Sequence, residues 1–514
     1  MKHALSPACS VMLVLCLALI TNATQLSSNI SWQSYQRARD VLDSGIKAHG
    51  GLEALRSIQS FTIKESGTNL LVNQSPNPEP PYLTAPREET TVFDSRRERL
   101  SIQLRAVTPW FTTFARVIIK DGEGFNLDLL SKTATPVVPA AIVNFRRSRS
   151  RYLPHNVLLE ALERASALRW LGDEDFRGRK QQVINAVLAD GQQLSLHFDA
   201  QTHLLTKYES LSIDPMVGDS LTETIFPGYR SVGAFKVPTG RILTFAGYTE
   251  QETKYEDVQI NSPLGENHFE IPTDFEKLPA PPPQPQNVLN KIAEDVYWLQ
   301  GLSGGNRNIL FVIFNDYVLV VEAPEQRPYA NMSEEVIARI KETAPGKPIR
   351  YLVLTHHHWD HAGGVRSYIA RGTTIVTTPG NRRFFERVKA APFTIAPDTL
   401  ARNPRPAVIE TIENKKRVFR DDKHIVEVYD IGPAPHSKEM LVVYLPKEKI
   451  LFQGDLIAGG FGPLPVAQES TIHLVERIRA LGLHVEKLIG VHGRVVTHEE
   501  VIKAIEKRRA MNAQ

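Results

Sequence analysis

The stretch THHHWDHAGG, Thr355 to Gly364, places four histidines and one aspartate within six consecutive positions. Crowded imidazoles repel one another once protonated, and their ring nitrogens are costly to bury without partners. A divalent cation removes both problems, because neutral imidazole and carboxylate are the ligands zinc takes when no thiolate is present. The motif follows YLVL, Tyr351 to Leu354, which reads as a buried strand. Residues two apart on an extended segment point the same way, so His356 and His358 can aim at one point while His357 aims elsewhere. Beyond the strand end the chain can turn and bring Asp360 and His361 toward a second point close by.

Two ions need more ligands than this motif holds, and three candidates follow, each just past an apolar run. IVEVYDI leads through Gly432-Pro433-Ala434-Pro435 to His436, ILFQ through Gly454 to Asp455, and KLIGV directly to His492. Strand ends along one sheet edge are where α/β folds gather functional residues. The adjoining glycines let the backbone turn sharply there. One histidine past a strand is ordinarily structural; seven suitable residues at correlated strand ends point to a metal site.

The elements that must position them are legible in the same half. ILFVIF, YVLVVEA, YLVLT and MLVVYLP are continuous apolar runs, the pattern of strands buried on both faces. Amphipathic stretches at Ser333–Thr343, Ile472–Leu481 and Glu499–Ala510 predict helices between and after them, giving an α/β layer architecture.

H-x-H-x-D-H, then a histidine 75 residues after His361, an aspartate 19 later and a histidine 37 later, resembles the metallo-β-lactamase superfamily from about Ile292 to the C-terminus. The resemblance implies an αββα sandwich with two Zn2+ ions on one sheet edge. It implies His356, His358 and His436 on the first ion, Asp360, His361 and His492 on the second, and Asp455 shared. The reaction implied is hydrolysis: a hydroxide held by the metals, oriented by Asp360 as the catalytic carboxylate, attacks an ester, thioester, lactone or related bond of a small molecule. Both cysteines, Cys9 and Cys16, lie in the segment expected to be removed as a signal peptide, so the mature chain would have no thiol and the β-lactamases that use a cysteine ligand are excluded; the set with Asp455 is closer to glyoxalase II-like and lactonase-like hydrolases. The alternatives are a single-iron persulfide-dioxygenase-like oxidoreductase, a lipid- or acyl-binding two-domain protein, and a β-lactamase.

The first half has another texture. LPAPPPQPQ, Leu278 to Gln286, has five prolines in nine residues and reads as a semi-rigid linker at 278–288, separating residues 25–277 from the hydrolase-like domain at 289–514. A helix with Ser31 as its cap and Ala38, Val41, Leu42 and Ile46 on one face opens this half. Alternating segments such as SFTIKESG, RERLSIQLRA and ARVIIKDG then predict antiparallel strands. In LSLHF, Leu194, Leu196 and Phe198 share one face, so His197 is expected on the solvent side. The strand pattern, with FPGYRSVGAFKVPTGRIL (Phe226–Leu243) and NSPLGENHFEIP (Asn261–Pro272), resembles the half-barrel of the lipoprotein-sorting (LolA-like) family. That resemblance implies a lipid or acyl ligand between helix and sheet. The arginine cluster FRRSRSR, Phe145 to Arg151, is expected to be solvated surface.

Residues 1–23 have the layout of a secretory signal peptide: Lys2 and His3, an apolar core from Val11 to Ile20, then Thr21-Asn22-Ala23. Export to the periplasm or the exterior follows, with no transmembrane helix after cleavage. Both cysteines, Cys9 and Cys16, lie in that segment, so no disulfide is expected. A net charge of +3 without a long basic run gives no footprint for nucleic acid.

Overall fold

The computed structural model describes residues 29–108, 112–280, 285–327, 329–413, 415–457, 464 and 466–512. The signal-peptide segment, residues 281–284 of the proline-rich stretch, and residues 458–463 lie outside them. Among the described residues no helix is long and apolar enough to cross a membrane.

Helix α1 (Ile30–Ala48) buries Ala38, Val41, Leu42 and Ile46, as their spacing predicts. Its cap is Asn29 rather than Ser31: the Asn29 side-chain oxygen accepts from the Trp32 amide at 3.1 Å, so the helix begins before the serine. Gly45 inside it passes close to Phe198, where a Cβ would lie 2.4 Å from the ring. Among the described residues fourteen strands form one sheet, from Glu276–Lys277 at one edge to Arg169–Phe176 at the other. At its centre β1 (Ser60–Leu70) pairs antiparallel with β2 (Thr84–Asp94) and with Tyr248–Ile260.

Helix α1 and the helix Pro154–Glu163 pack Leu42, Ile46, Val157 and Leu158 against Leu194, Leu196 and Phe198 of the sheet. The space that the LolA-like resemblance assigns to an acyl chain is filled here by the protein's own side chains. Nearby, Arg87 and Arg149 reach Glu89 at 2.6 and 3.0 Å, and Arg241 lies 3.6 Å from Glu65. Buried charge of this kind does not suit an acyl ligand.

Two expectations for this half are corrected. His197 is buried, not solvent-facing; its ring nitrogens lie 3.3 Å from Glu174 and 3.3 Å from Glu209. Alternation gave its direction correctly, but long charged side chains from other strands roof that face. The His197 contact, aided by Lys207, lowers Glu209 to about 2. The FRRSRSR cluster is solvated only in part: Arg146 reaches the exposed Glu98 at 3.2 Å and Arg147 stays half exposed, sharing Asp190 with Arg151 at 3.3 and 3.1 Å, while Arg149 holds the buried Glu89.

His155, packed edge-on to Phe61, is lowered by burial to about 3. Its folded value lies below the unfolded one near 6.5, so the unfolded chain alone takes up this proton as pH falls. The stability it contributes is complete above about pH 6.5 and is lost toward pH 3 at about 1.4 kcal/mol per pH unit. The difference in unfolding free energy between wild type and His155→Leu should therefore shrink by about 1.4 kcal/mol for each unit below 6.5. Denaturant titrations at pH 7.5 and 5.5 measure it; a difference independent of pH would refute the assignment.

The C-terminal half is an αββα sandwich. A seven-stranded sheet spans Val288–Thr411 and a six-stranded sheet spans Lys416–Thr497, counted over the described residues. Val312, Leu319, Val321, Val353 and Val376 of the first interdigitate with Val426, Val428, Val443 and Phe452 of the second. The helices Met332–Thr343 and Arg382–Ala390 cover one outer face, and Glu469–Ala480 and His498–Asn512 cover the other. The apolar runs are thus buried on both faces, as their sequence requires.

Among the described residues the two halves dock at two places. The turn Asp214–Gly218 of the N-terminal sheet meets Pro392–Ile395: Gly218 has φ +75°, and a Cβ there would lie 1.8 Å from the Pro392 carbonyl oxygen. Asp219 accepts from the amides of Thr394 and Ile395 at 2.9 and 3.0 Å, and Arg327 reaches Asp214 at 2.6 Å. The second place is the β1–β2 loop, residues 71–83. Its Pro76 carbonyl accepts from the Lys438 amide at 2.9 Å, and Glu79 pairs with Arg387.

Candidate metal centre

The strand Ile349–Val353 runs parallel between Val318–Val321 and Thr374–Thr377, with Leu352 in one core and Val353 in the other. Held on both faces, it ends at a fixed point. Thr355 to His358 leave that end, and a helical turn, Trp359–Ala362, follows. Ile425–Asp430, Ile450–Phe452 and Lys487–Ile489 of the second sheet end nearby and deliver His436, Asp455 and His492.

His356, His358, His436 and Asp455 each present one ligand atom within 4.8 Å of the others, and Asp360, His361, Asp455 and His492 do the same. All seven residues chosen from sequence come together, in two groups that share Asp455. Its carboxylate lies 3.1 Å from His361 Nε2 and 3.5 Å from both His436 Nε2 and His492 Nε2. Gly454 before it has φ +63°, and a Cβ there would meet Thr355 Oγ1 at 2.7 Å and Met440 at 2.8 Å. His357 belongs to neither group; it is buried with its ring 5.2 Å from Phe384. Trp359 packs against the core beneath the helices.

The second nitrogen of several rings is engaged outside the cluster. His356 Nδ1 meets Thr355 Oγ1 at 3.0 Å, and His492 Nδ1 donates to the Asn306 carbonyl at 2.5 Å. His358 Nε2 donates to the carbonyl of Ser75, in the β1–β2 loop, at 3.0 Å. Such bonds fix tautomer and ring orientation. They leave His356 Nε2 and His358 Nδ1 buried without a hydrogen-bond partner. Orphaned buried lone pairs are unfavourable unless something accepts them. The donor set, neutral imidazoles plus two carboxylates, fits a pair of divalent cations.

The electrostatics divide the cluster in the same way. Burial, reinforced by neighbouring imidazoles, drives His356 well below its ordinary value and lowers His358 to about 3; burial also lowers His436. These three rings stay neutral, as ligands must. Burial disfavours charge on His361 and His492 too, but the carboxylates outweigh it: Asp455 and Glu322 raise His361, and Asp455 and Asp360 raise His492. Burial likewise opposes the charged carboxylates, yet His492 and His361 hold Asp360 below the usual carboxylate range, and His361 and His492 do so for Asp455.

Sequence reasoning missed four positioning groups. Glu322 is fully buried, accepts from the Thr355 amide at 3.1 Å and faces His361 Nδ1 at 3.7 Å. Its signal was available, since it ends the apolar run YVLVV as the ligands end theirs. Asn306 accepts from His492 through its carbonyl and from the Gly493 amide through its side chain at 2.6 Å. Gln74 donates to Asp360 Oδ1 at 2.8 Å, and Ser75 accepts from His358. Nothing in the sequence marks these last two, because the partners lie more than 280 residues apart.

The two ligand groups lie at one edge of an αββα sandwich, and this part of the chain is similar to known proteins. Residues 304–492 match the model of the metallo-beta-lactamase superfamily, and the C-terminal region of the chain has that fold. A metallo-beta-lactamase type 2 from Elizabethkingia meningoseptica is 25% identical over 182 residues, covering 34% of this chain and 64% of that protein. Among solved structures, a metallo-beta-lactamase from Pontibacter korlensis is 20% identical and covers 43% of this chain and 98% of that one, with a TM-score of 0.31. The sec-alkylsulfatase Pisa1 from Pseudomonas sp. is 15% identical, covering 44% of this chain and 41% of that one, with a TM-score of 0.31. The metallo-beta-lactamases and the sulfatase similar to this chain are hydrolases, and the His and Asp groups could hold metal ions.

Proposed function

We propose that the protein is an exported, dinuclear zinc-dependent hydrolase that cleaves an ester, thioester, lactone or related bond of a small molecule. The observation that carries this reading is the pair of ligand groups sharing Asp455, with ligand atoms within 4.8 Å in each group. When bound, zinc lowers the pKa of a coordinated water from 15.7 to about 7 and polarises the scissile carbonyl. The chain's own residues do the rest. Asp360, its carboxylate gripped by Gln74 on one oxygen and by His492 on the other at 3.2 Å, is poised to take the proton of the attacking water. His356, His358 and His436, kept neutral by burial, hold the first group without changing charge. Glu322 and Asn306 steady His361 and His492 from behind. Two complete ligand groups favour the hydrolase over the single-iron oxidoreductase. Export is supported by the signal-peptide layout of residues 1–23, with Ala23 as the last residue removed.

The test is metal analysis of the secreted full-length chain together with a substrate panel of aryl ester, thioester, lactone and cephalosporin. Two zinc ions per chain and chelator-sensitive turnover of one of the first three are expected. One iron and no zinc would overturn the reading, and turnover of the cephalosporin alone would move the protein to the β-lactamases. A mature N-terminus at Met1 would refute export with cleavage.

A further inference from the structure

We infer that the N-terminal domain is part of the metal centre: its β1–β2 loop supplies Gln74 as the positioning residue for Asp360, and thereby sets the affinity of the second ion. The inference rests on the dinuclear reading and adds to it a role for the first half of the chain. Two contacts carry it. Gln74 Nε2 donates to Asp360 Oδ1 at 2.8 Å, and the adjacent Ser75 carbonyl accepts from His358 Nε2 at 3.0 Å. A carboxylate can only accept, so the amide nitrogen of Gln74 must face it. His358, whose Nε2–H is given to Ser75, must present Nδ1 to the cluster. One loop therefore orients one residue in each ligand group.

The loop is held in place by more than these bonds. Ser75 is fully buried, and its hydroxyl accepts from the Leu83 amide at 2.9 Å across the loop. The Pro76 carbonyl is bound by the Lys438 amide at 2.9 Å, two residues past His436. The loop leaves and rejoins the sheet at the Leu70–Thr84 pair, so its position is fixed by the N-terminal sheet at one end and by the metal centre at the other. A loop that merely crossed the surface would not bury its polar backbone against a ligand histidine.

Asp360 shows why the contact matters chemically. A carboxylate has two oxygens; with one held by a fixed donor, the other is aimed before any ion arrives. Losing such an outer partner typically weakens a metal site 10- to 100-fold. The effect should fall on the group containing Asp360, not on that of His356, His358 and His436.

The experiment is stepwise titration of the metal-free full-length protein with Zn2+ by calorimetry, comparing wild type with Gln74→Met, which keeps length and removes the donor. Wild type should bind two ions. Gln74→Met should bind the first with unchanged affinity and the second about 10- to 100-fold more weakly, with its metal-free thermal midpoint retained. Two ions bound by both proteins with equal affinities would overturn the inference and leave the dinuclear reading intact. Equal weakening of both ions, or a lowered midpoint, would show a structural role only and also overturn it. Wild type binding fewer than two ions would overturn the dinuclear reading and the inference together.

Discussion

Asp455→Ala should remove hydrolysis and lower the affinity for both ions by well over 100-fold. The comparison that sets this scale is an outer partner, whose loss costs about 10- to 100-fold; Asp455 belongs to both ligand groups and lies within 3.5 Å of His361, His436 and His492. Its carboxylate is also the main counter-charge for the raised His361 and His492. Without it, two buried imidazoles lose the group that lets them carry charge, and cations arriving in their place find one carboxylate instead of two. Metal content after gel filtration and turnover on the panel substrate measure the effect. Asp455→Ala with two tightly bound ions and ordinary turnover would sink the bridging assignment.

Arg366→Ala should destabilise the fold by about 3–5 kcal/mol. Arg366 and Asp398 are both buried, and the guanidinium holds the carboxylate through two contacts, at 2.6 and 3.1 Å. Its remaining donors reach the carbonyls of Val388, Lys389 and Ala391 at 3.0, 2.7 and 3.2 Å. Truncation strands a buried carboxylate and leaves those carbonyls short of a donor, which costs far more than the pair itself is worth. Arg366 stands at the start of the helix Val365–Ile369, directly after the ligand turn, so the loss loosens the segment that reaches Pro392 and the N-terminal sheet. Arg366→Lys keeps the charge but not the planar fork and should recover part of the loss. Denaturant unfolding measures both; a loss under about 1 kcal/mol in Arg366→Ala would refute the account.

The seven candidate ligands were legible because each ends or follows an apolar run, and a strand buried on both faces leaves such a pattern in any window of the sequence. His356 and His358 fall in one ligand group, the placement that alternation predicts, and His357 lies in neither group. What alternation cannot report is what lies above a sheet face, which is why His197 was misplaced: Glu174 and Glu209 come from other strands. The Asn29 cap was missed because asparagine and serine are equivalent cap residues and only the backbone path separates them. Gln74 and Ser75 were invisible for a different reason. Their partners follow a strand of another sheet, and the proline-rich loop LVNQSPNPEPPYL carries no periodicity to show what it touches.

The arginines of FRRSRSR look from the sequence like a patch of positive charge, but each has a carboxylate about 3 Å away. Opposite charges that close present a distant anionic surface with a set of small dipoles, whose field fades faster than that of a net charge. With a screening length of about 8 Å at physiological ionic strength, what remains of that field reaches only a short way into solvent. The helix that bears them is clasped to the sheet and its turns through Glu89, Glu98 and Asp190.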